Sequence, residues 1–332
     1  MIRTFGNIDG RFVALGEDLE AFDNAVWIDL INPDKDEETA AERALGIDVP
    51  TIEEMSEIEI SSRLYSDDGA HFMTAMVLSH TDGDNVLLSP ATFILIGQRL
   101  VTVRYSEPRA VDAFIARCQK AGAWSADALV AGLIEGLVAR IGDLLERVGH
   151  ELDDISGSIF AMPPPAAPGG HYNGLQRPAR PRNYRSVLEL VGRKGDLLSK
   201  IRESLVSFQR LLAYDMTVAA IRKPGDETDS RIKTLASDVQ SLSDHTNFLT
   251  QKITFLLDAT LGMINIEQTG IIKIFSVAAV VFLPPTLIAS IYGMNFDIMP
   301  ELAWPYGYPF ALGMMLASAI VPYMFFKWRR WL

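Results

Sequence analysis

The chain has 332 residues, 48% of them hydrophobic and 22% charged, a balance that excludes a disordered tail and a collagen-like repeat. Its net charge of −12 argues against nucleic acid as the main partner. The single cysteine, Cys118, excludes a disulfide framework and a cysteine-based zinc site, and fits a reducing compartment.

The charge is uneven. Residues 1–100 carry 20 acids and 6 bases, whereas residues 101–332 carry 22 acids and 24 bases. Such an acidic front half suits a cation partner or simple solubility. The start, Met1-Ile2-Arg3-Thr4-Phe5-Gly6, has no apolar run and no cleavage-like site, so a secretory signal is not expected.

Residues 1–122 read as a mixed α/β cytosolic domain. Val26–Ile31 and His71–Ser79 have strand character, and Ala91–Gly97 with Leu100–Tyr105 reads as a hairpin turning at Gly97-Gln98. Glu37–Leu45 and Pro108–Lys120 read as helices. Asp82-Gly83-Asp84-Asn85 reads as a hairpin turn, because the bidentate glutamate of a calcium loop is missing.

Residues 123–231 read as an antiparallel pair of long helices. In Ser125–Phe160, Leu129, Leu133, Leu137, Ile141, Leu144, Val148 and Leu152 recur every three or four residues. Prolines and glycines then interrupt the pattern over residues 162–183, which read as an exposed link. Tyr184–Ile221 is the return helix. Arg177–Lys223 holds 11 bases and 4 acids, which reads as a collar near an ion path or lipid headgroups, or as a surface for the acidic front domain. Ser125 and Ser204 have no acid or histidine spaced to make either a nucleophile.

From Ile232 a heptad-like seam runs through Leu235, Val239, Leu242, Thr246, Leu249, Ile253, Leu256, Thr260 and Met263. It enters an apolar stretch without a turn signal. One helix over residues 232–291 follows, of order 90 Å at ~1.5 Å per residue, able to couple a cytosolic domain to a membrane.

Ile274–Tyr292 and Tyr308–Phe326 are uncharged runs of 19 residues each, long enough to cross a hydrocarbon core. Lys273 precedes the first, and Lys327, Arg329 and Arg330 follow the second, whereas residues 293–307 lack Lys and Arg. Both termini are therefore expected in the cytoplasm, with residues 292–307 as an external loop and 308–332 as the second span and a basic tail. Two helices cannot enclose a water-filled path, so ion transport would require several copies.

The three hydroxyls of the first span, Ser276, Thr286 and Ser290, fall within an arc of about 80° at 100° per residue. This face suits a mildly polar pore wall or small-residue helix packing. Beyond it, the Asn295 carboxamide offers oxygen to a hydrated hard cation, and Asp297 and Glu301 would raise the local cation concentration outside. The five histidines show no metal-ligand spacing, and there is no P-loop, no dinucleotide motif and no catalytic constellation. An enzyme is not expected, and neither is a catalytic cofactor.

Tyr292-Gly293-Met294-Asn295-Phe296, followed by Met299-Pro300-Glu301-Leu302, Trp304 and Gly307-Tyr308-Pro309, resembles the CorA family of divalent-metal transporters. Residues 264–268, 271–277 and 281–287, with Arg63-Leu64-Tyr65 and Asp67-Asp68-Gly69-Ala70, resemble the enterobacterial branch of that family. The likeness spans nearly the whole chain.

The resemblance implies a funnel-shaped homopentamer in a bacterial inner membrane, with an α/β cytosolic domain, a long-helix stalk and two C-terminal transmembrane helices. Its partners would be its own copies, membrane lipids and divalent metal ions. Mg²⁺, with Co²⁺ and Ni²⁺, would be the substrate, and Mg²⁺ also the regulatory ligand. Ile272, Phe275, Leu283 and Thr286 would face the pore. Asn295 would bind the hydrated ion at the mouth, with Gly293 and Met294 shaping the turn. Met294 favours the magnesium branch over relatives that carry zinc with isoleucine there. Cytosolic sensing would involve Glu53 and Glu54 with a carboxylate on the long helix. Ungapped matching from Asp258 puts that carboxylate at Thr234, and Asp238 is the nearest acid. A zinc or cobalt transporter of the same fold, and a non-conducting membrane-anchored sensor, are the alternatives.

Overall fold

The computed structural model describes residues 1–16, 19–57, 59–83, 85–160, 184–222, 225–294 and 304–329. The Pro-rich link, Asp84, and the expected ion-mouth residues Asn295, Asp297 and Glu301 lie outside them. The chain divides into two compact units, Met1–Leu257 and Asp258–Leu332.

The first unit is built on seven strands: β1 (Ile2–Ile8), β2 (Arg11–Gly16), β3 (Trp27–Ile31), β4 (Leu64–Asp67), β5 (Ala70–Ser79), β6 (Leu87–Ile96) and β7 (Arg99–Arg104). They form one sheet in the order β2-β1-β3-β7-β6-β5-β4. Only β3 and β7 pair in parallel; the other neighbours are antiparallel. The β6–β7 hairpin turns at Gly97, as expected, with φ of 56°.

Among the described residues the α-helices are α1 (Lys35–Leu45), α2 (Ile52–Ser56), α3 (Arg109–Ala121), α4 (Ala126–Phe160), α5 (Tyr184–Arg222), α6 (Asp226–Tyr292) and α7 (Gly307–Trp328). Asp34 caps α1, accepting from the Asp36 and Glu37 amides, while the Glu37 carboxylate reaches back to the Asp34 amide. Ile28, Leu30, Phe72, Ile94, Val101 and Val103 form one buried sheet face with Ala41 of α1 and Met55 of α2. On the other face Trp27 packs on Phe5, Phe12 and the Phe114 ring of α3, at centroid distances of 5.1, 6.4 and 6.2 Å. There α4 approaches so closely that a methyl group on Gly132 would strike the Phe114 ring.

That second face holds a buried polar network. Asp29 and Arg104, 0% and 3% exposed, pair through two bonds of 2.9 and 3.0 Å. Asp29 also accepts from Thr102 Oγ1 at 2.8 Å and from Arg3 Nη2 at 3.1 Å. Trp27 Nε1 donates to Thr102 Oγ1 at 2.9 Å, which ties the ring to the ion pair.

Helix α5 closes the open part of β5. Strand β4 pairs with β5 only from Ala70 to Met73. Beyond it, the Met76 amide donates to Ser207 Oγ at 2.8 Å, and Ser204 Oγ donates to the Met76 carbonyl at 2.6 Å. The two buried hydroxyls take the place of a missing strand. Ser204 is therefore structural.

Helices α4, α5 and the first part of α6 pack together in the first unit. Arg222 meets Asp127 at 3.1 Å, and Lys194 meets Glu151, so α5 runs antiparallel to α4. Arg231–Glu135 at 2.5 Å and Lys252–Asp153 at 2.7 Å set α6 parallel to α4. The heptad-like seam is buried here: Leu235, Val239, Thr246, Leu249, Ile253 and Leu256 are at most 7% exposed. Helix α6 starts at Asp226, six residues before its expected start at Ile232.

The basic stretch does face the front domain in part: α5 lies against β5, Lys200 Nζ donates to the Val86 carbonyl at 3.2 Å and Arg222 Nη2 to the Gly97 carbonyl at 2.9 Å. Its ion pairs go to Asp127 and Glu151 of α4, or along α5 itself in Arg185–Glu189 and Lys200–Asp196. The acids that serve it lie on α4 and on α5 itself.

Asp215 sits where α4, α5 and α6 meet, 7% exposed. Burial first, then the Asp127 charge, pushes its carboxyl up to about 6; Arg222 opposes this and Asp229 adds to it. Above its ordinary value near 4, the unfolded carboxyl ionises freely, whereas the folded one holds its proton to about 6. Stability therefore falls as pH rises from about 4 to 6, and the loss persists above. Asp215→Asn is expected to stabilise the protein by about 2 kcal/mol at pH 7 and by little near pH 4. Thermal unfolding at both pH values checks this, and an equal shift at the two would refute it.

Candidate pore helix and metal-sensing residues

Helix α6 continues through Pro284 and Pro285. Neither proline has an amide hydrogen, so the carbonyls of Val280 and Val281 lose their helical donors. Two hydroxyls turn back on the helix: Ser276 Oγ donates to the Ile272 carbonyl and Thr286 Oγ1 to the Phe282 carbonyl, each at 2.8 Å.

From Val277 to Tyr292 exposure divides α6 into two sides; Ile274, before this stretch and in line with the covered side, is 67% exposed. Val277, Val281, Pro284, Pro285, Ile288 and Tyr292 are at least partly covered within their own unit. These positions share one side of the helix at 100° per residue. Ile272, Phe275, Ser276, Ala279, Leu283, Thr286 and Ser290 share the opposite side and are all exposed. Ile272, Phe275 and Leu283 are 65–71% exposed. The expected pore residues thus lie on the side that the chain itself leaves bare.

The helix ends as the Gly-Met-Asn segment begins. The Gly293 amide donates to the Ala289 carbonyl at 3.0 Å, and the Met294 amide to the Ile291 carbonyl at 3.3 Å. A Cβ on Gly293 would lie 3.1 Å from that Ala289 oxygen, so the tight exit favours glycine.

Helices α6 and α7 are both long and apolar enough to cross a membrane, and only 6% of each most apolar stretch is buried. A soluble core helix would be mostly covered.

The expected sensing residues belong to different elements: Glu53 and Glu54 to α2, Asp238 and Asp258 to α6. Glu53 and Glu54 occupy the first turn of α2, whose cap is Thr51. The Glu54 carboxylate accepts from both the Thr51 amide and hydroxyl at 2.9 Å, so it caps the helix. The surrounding acidity is felt by two tyrosines. Burial, then Glu38 and Glu53, pushes the Tyr105 hydroxyl up to about 12. Burial, then Glu54, Asp67 and Asp48, also raises that of Tyr65.

Asp238 and Thr234 line a cleft of about 160 Å³ with Ser230 of α6 and Glu135 of α4. Asp258 is exposed. Among the described residues, no group of three or more His, Cys, Asp or Glu side chains could hold a metal ion.

These features define a membrane protein with two C-terminal spans, a long helix and a large α/β domain. A family model described as CorA-like Mg2+ transporter protein matches residues 22–166 and 192–329. The magnesium transport protein CorA of Pasteurella multocida is 34% identical over the full length of both chains. That of Escherichia coli K12 is 35% identical over 95% of each. The complete CorA magnesium transporter of Methanocaldococcus jannaschii shares the fold, with a TM-score of 0.72 and 20% identity over 100% of this chain and 99% of the other. The chain belongs to the CorA-like Mg²⁺ transporter family.

Proposed function

We propose that the protein carries Mg²⁺, with Co²⁺ and Ni²⁺ as further substrates, across a bacterial inner membrane through a homopentameric channel. The observation that carries this reading is the bare side of α6, where Ser276, Thr286 and Ser290 join Ile272, Phe275 and Leu283. Copies arranged about a common axis would cover that side and line a path with it. Phe248 and Phe255, each 57% exposed on α6 in the first unit, supply apolar surface for packing between copies. Asn295, which follows Gly293 and Met294 in the sequence, would meet the hydrated ion, drawn in by Asp297 and Glu301. Mg²⁺ sheds water reluctantly, and a neutral carboxamide holds its hydration shell without trapping it.

The driving force is the membrane potential. At 100 mV, inside negative, each elementary charge gains ~2.3 kcal/mol, and a divalent ion gains twice that. Cytosolic Mg²⁺ closes the channel by screening acids brought together between copies: Glu53 and Glu54 of one against Asp238 or Asp258 of the next.

Liposomes holding the purified protein and an internal Mg²⁺ dye test both parts. Influx is expected to rise with an imposed inside-negative potential and to slow when Mg²⁺ is already inside. Glu54→Gln retains the α2 cap, because an amide oxygen also accepts there. It removes one charge, so the internal Mg²⁺ needed to slow influx should rise a few-fold. Influx indifferent to potential would remove the channel mechanism, and an unchanged closing concentration would remove Glu54 from the sensor. Passage of Zn²⁺ without Mg²⁺ would move the protein to the zinc reading.

A further inference from the structure

A second cleft lies in the first unit, bounded by the β5–β6 turn, α4 and α5, with a volume of about 350 Å³. Arg147, Arg193 and Lys194 line it beside Glu151, and Leu190 and Leu197 form an apolar wall. Asp82 closes the turn side, where it is already held between Arg109 and Arg140. Glu151 is taken up by Lys194, whose side chain is only 12% exposed. Both lining carboxylates are thus neutralised.

Two guanidiniums are left over. Arg147 donates to the Thr81 carbonyl at 2.6 Å but has no carboxylate partner among the described residues. Arg193 has no hydrogen bond or ion pair among them and is exposed. A guanidinium presents a planar fork of donors that fits phosphate oxygens in pairs. The volume is in the range of small-ligand sites and exceeds what a lone inorganic ion fills. The leucine wall would take an apolar or ring portion. The excess positive charge excludes a metal cation as occupant.

We propose that this cleft binds a phosphate-bearing small molecule of the cytosol, of the nucleotide class. A phosphate chain already carrying Mg²⁺ offers less negative charge to the arginines than the free form. The cleft therefore prefers the metal-free ligand, and its occupancy falls as Mg²⁺ rises. This site is independent of the transport reading, since none of its residues lies on the bare side of α6.

The test is calorimetric titration of the full-length protein in detergent with ATP, and separately with inorganic phosphate, first in EDTA and then in excess Mg²⁺. Saturable ATP binding in EDTA is expected, weakened by Mg²⁺ and about tenfold by Arg193→Glu. Arg202→Glu is the control, because Arg202 lines a different cleft with Arg63 and Arg210. It should leave binding unchanged. Absence of binding by both probes overturns the proposal, as does equal weakening by the two substitutions, which would mark non-specific attraction. A change in oligomer size on Arg193→Glu without ligand binding also overturns it and makes the cleft a contact between copies.

Discussion

Asp29→Ala is expected to lower the unfolding free energy by about 3–5 kcal/mol. The alanine would strand Arg104, 3% exposed, without its two carboxylate bonds, would leave the Thr102 hydroxyl without its acceptor, and would leave Arg3 only its bond to Asp112. Desolvation of an unpaired guanidinium, rather than the lost attraction itself, accounts for most of this cost. The double substitution Asp29→Leu with Arg104→Met removes both charges and should recover much of the loss. Thermal unfolding of the detergent-solubilised chain separates the cases. A single substitution costing under about 1 kcal/mol would mean that water reaches the pair and that the network is not a structural centre.

Cysteine scanning of α6 should divide the helix into two sides. The only native thiol, Cys118, is fully buried, and burial pushes it up to about 12, so it stays unreactive at neutral pH. Single cysteines can therefore be placed in the natural background. A charged, water-soluble thiol reagent is expected to cut Mg²⁺ influx at least about tenfold when the cysteine replaces Thr286 or Ser290, because a bulky fixed charge would then stand in the ion's path. At Ile288, on the covered side, the same reagent should do little. Equal inhibition at all three positions would contradict a path lined by the bare side.

Much of this architecture is legible in the residues. The strands β3, β5, β6 and β7 announce themselves by apolar runs between turn signals, and α4 by its three-and-four spacing. The second C-terminal span reads directly from an uncharged apolar run. The first hairpin is less plain, because Gly6 and Asn7 weaken β1. Its turn, however, is Asp9-Gly10, with φ of 50° and 74°, and Asp68-Gly69 joins β4 to β5 in the same way, with φ of 44° and 81°. Asp-Gly is the dipeptide that a two-residue hairpin prefers, so both were readable. The roles of Ser204 and Ser207 were not, since a hydroxyl that completes a sheet edge is defined only by which strand ends early. Nor was the fate of the α5 cations, whose carboxylates are set by helix packing rather than by regional charge. The hydroxyl arc of α6 was visible as a pattern, and packing within its own unit decides which side stays bare. Glu54 caps its own helix, a local role that Thr51 three residues earlier signals.

Mg²⁺ influx into liposomes holding the wild-type protein beside Asn295→Ala is the most direct measurement of the central claim, a water-filled path whose outer ion site is Asn295. The predicted result is saturable influx in the wild type that the alanine abolishes, with the variant still assembled to the same oligomer. Influx that persists unchanged in the alanine variant, or no flux of any divalent ion in the wild type whether internal Mg²⁺ is low or high, would contradict it.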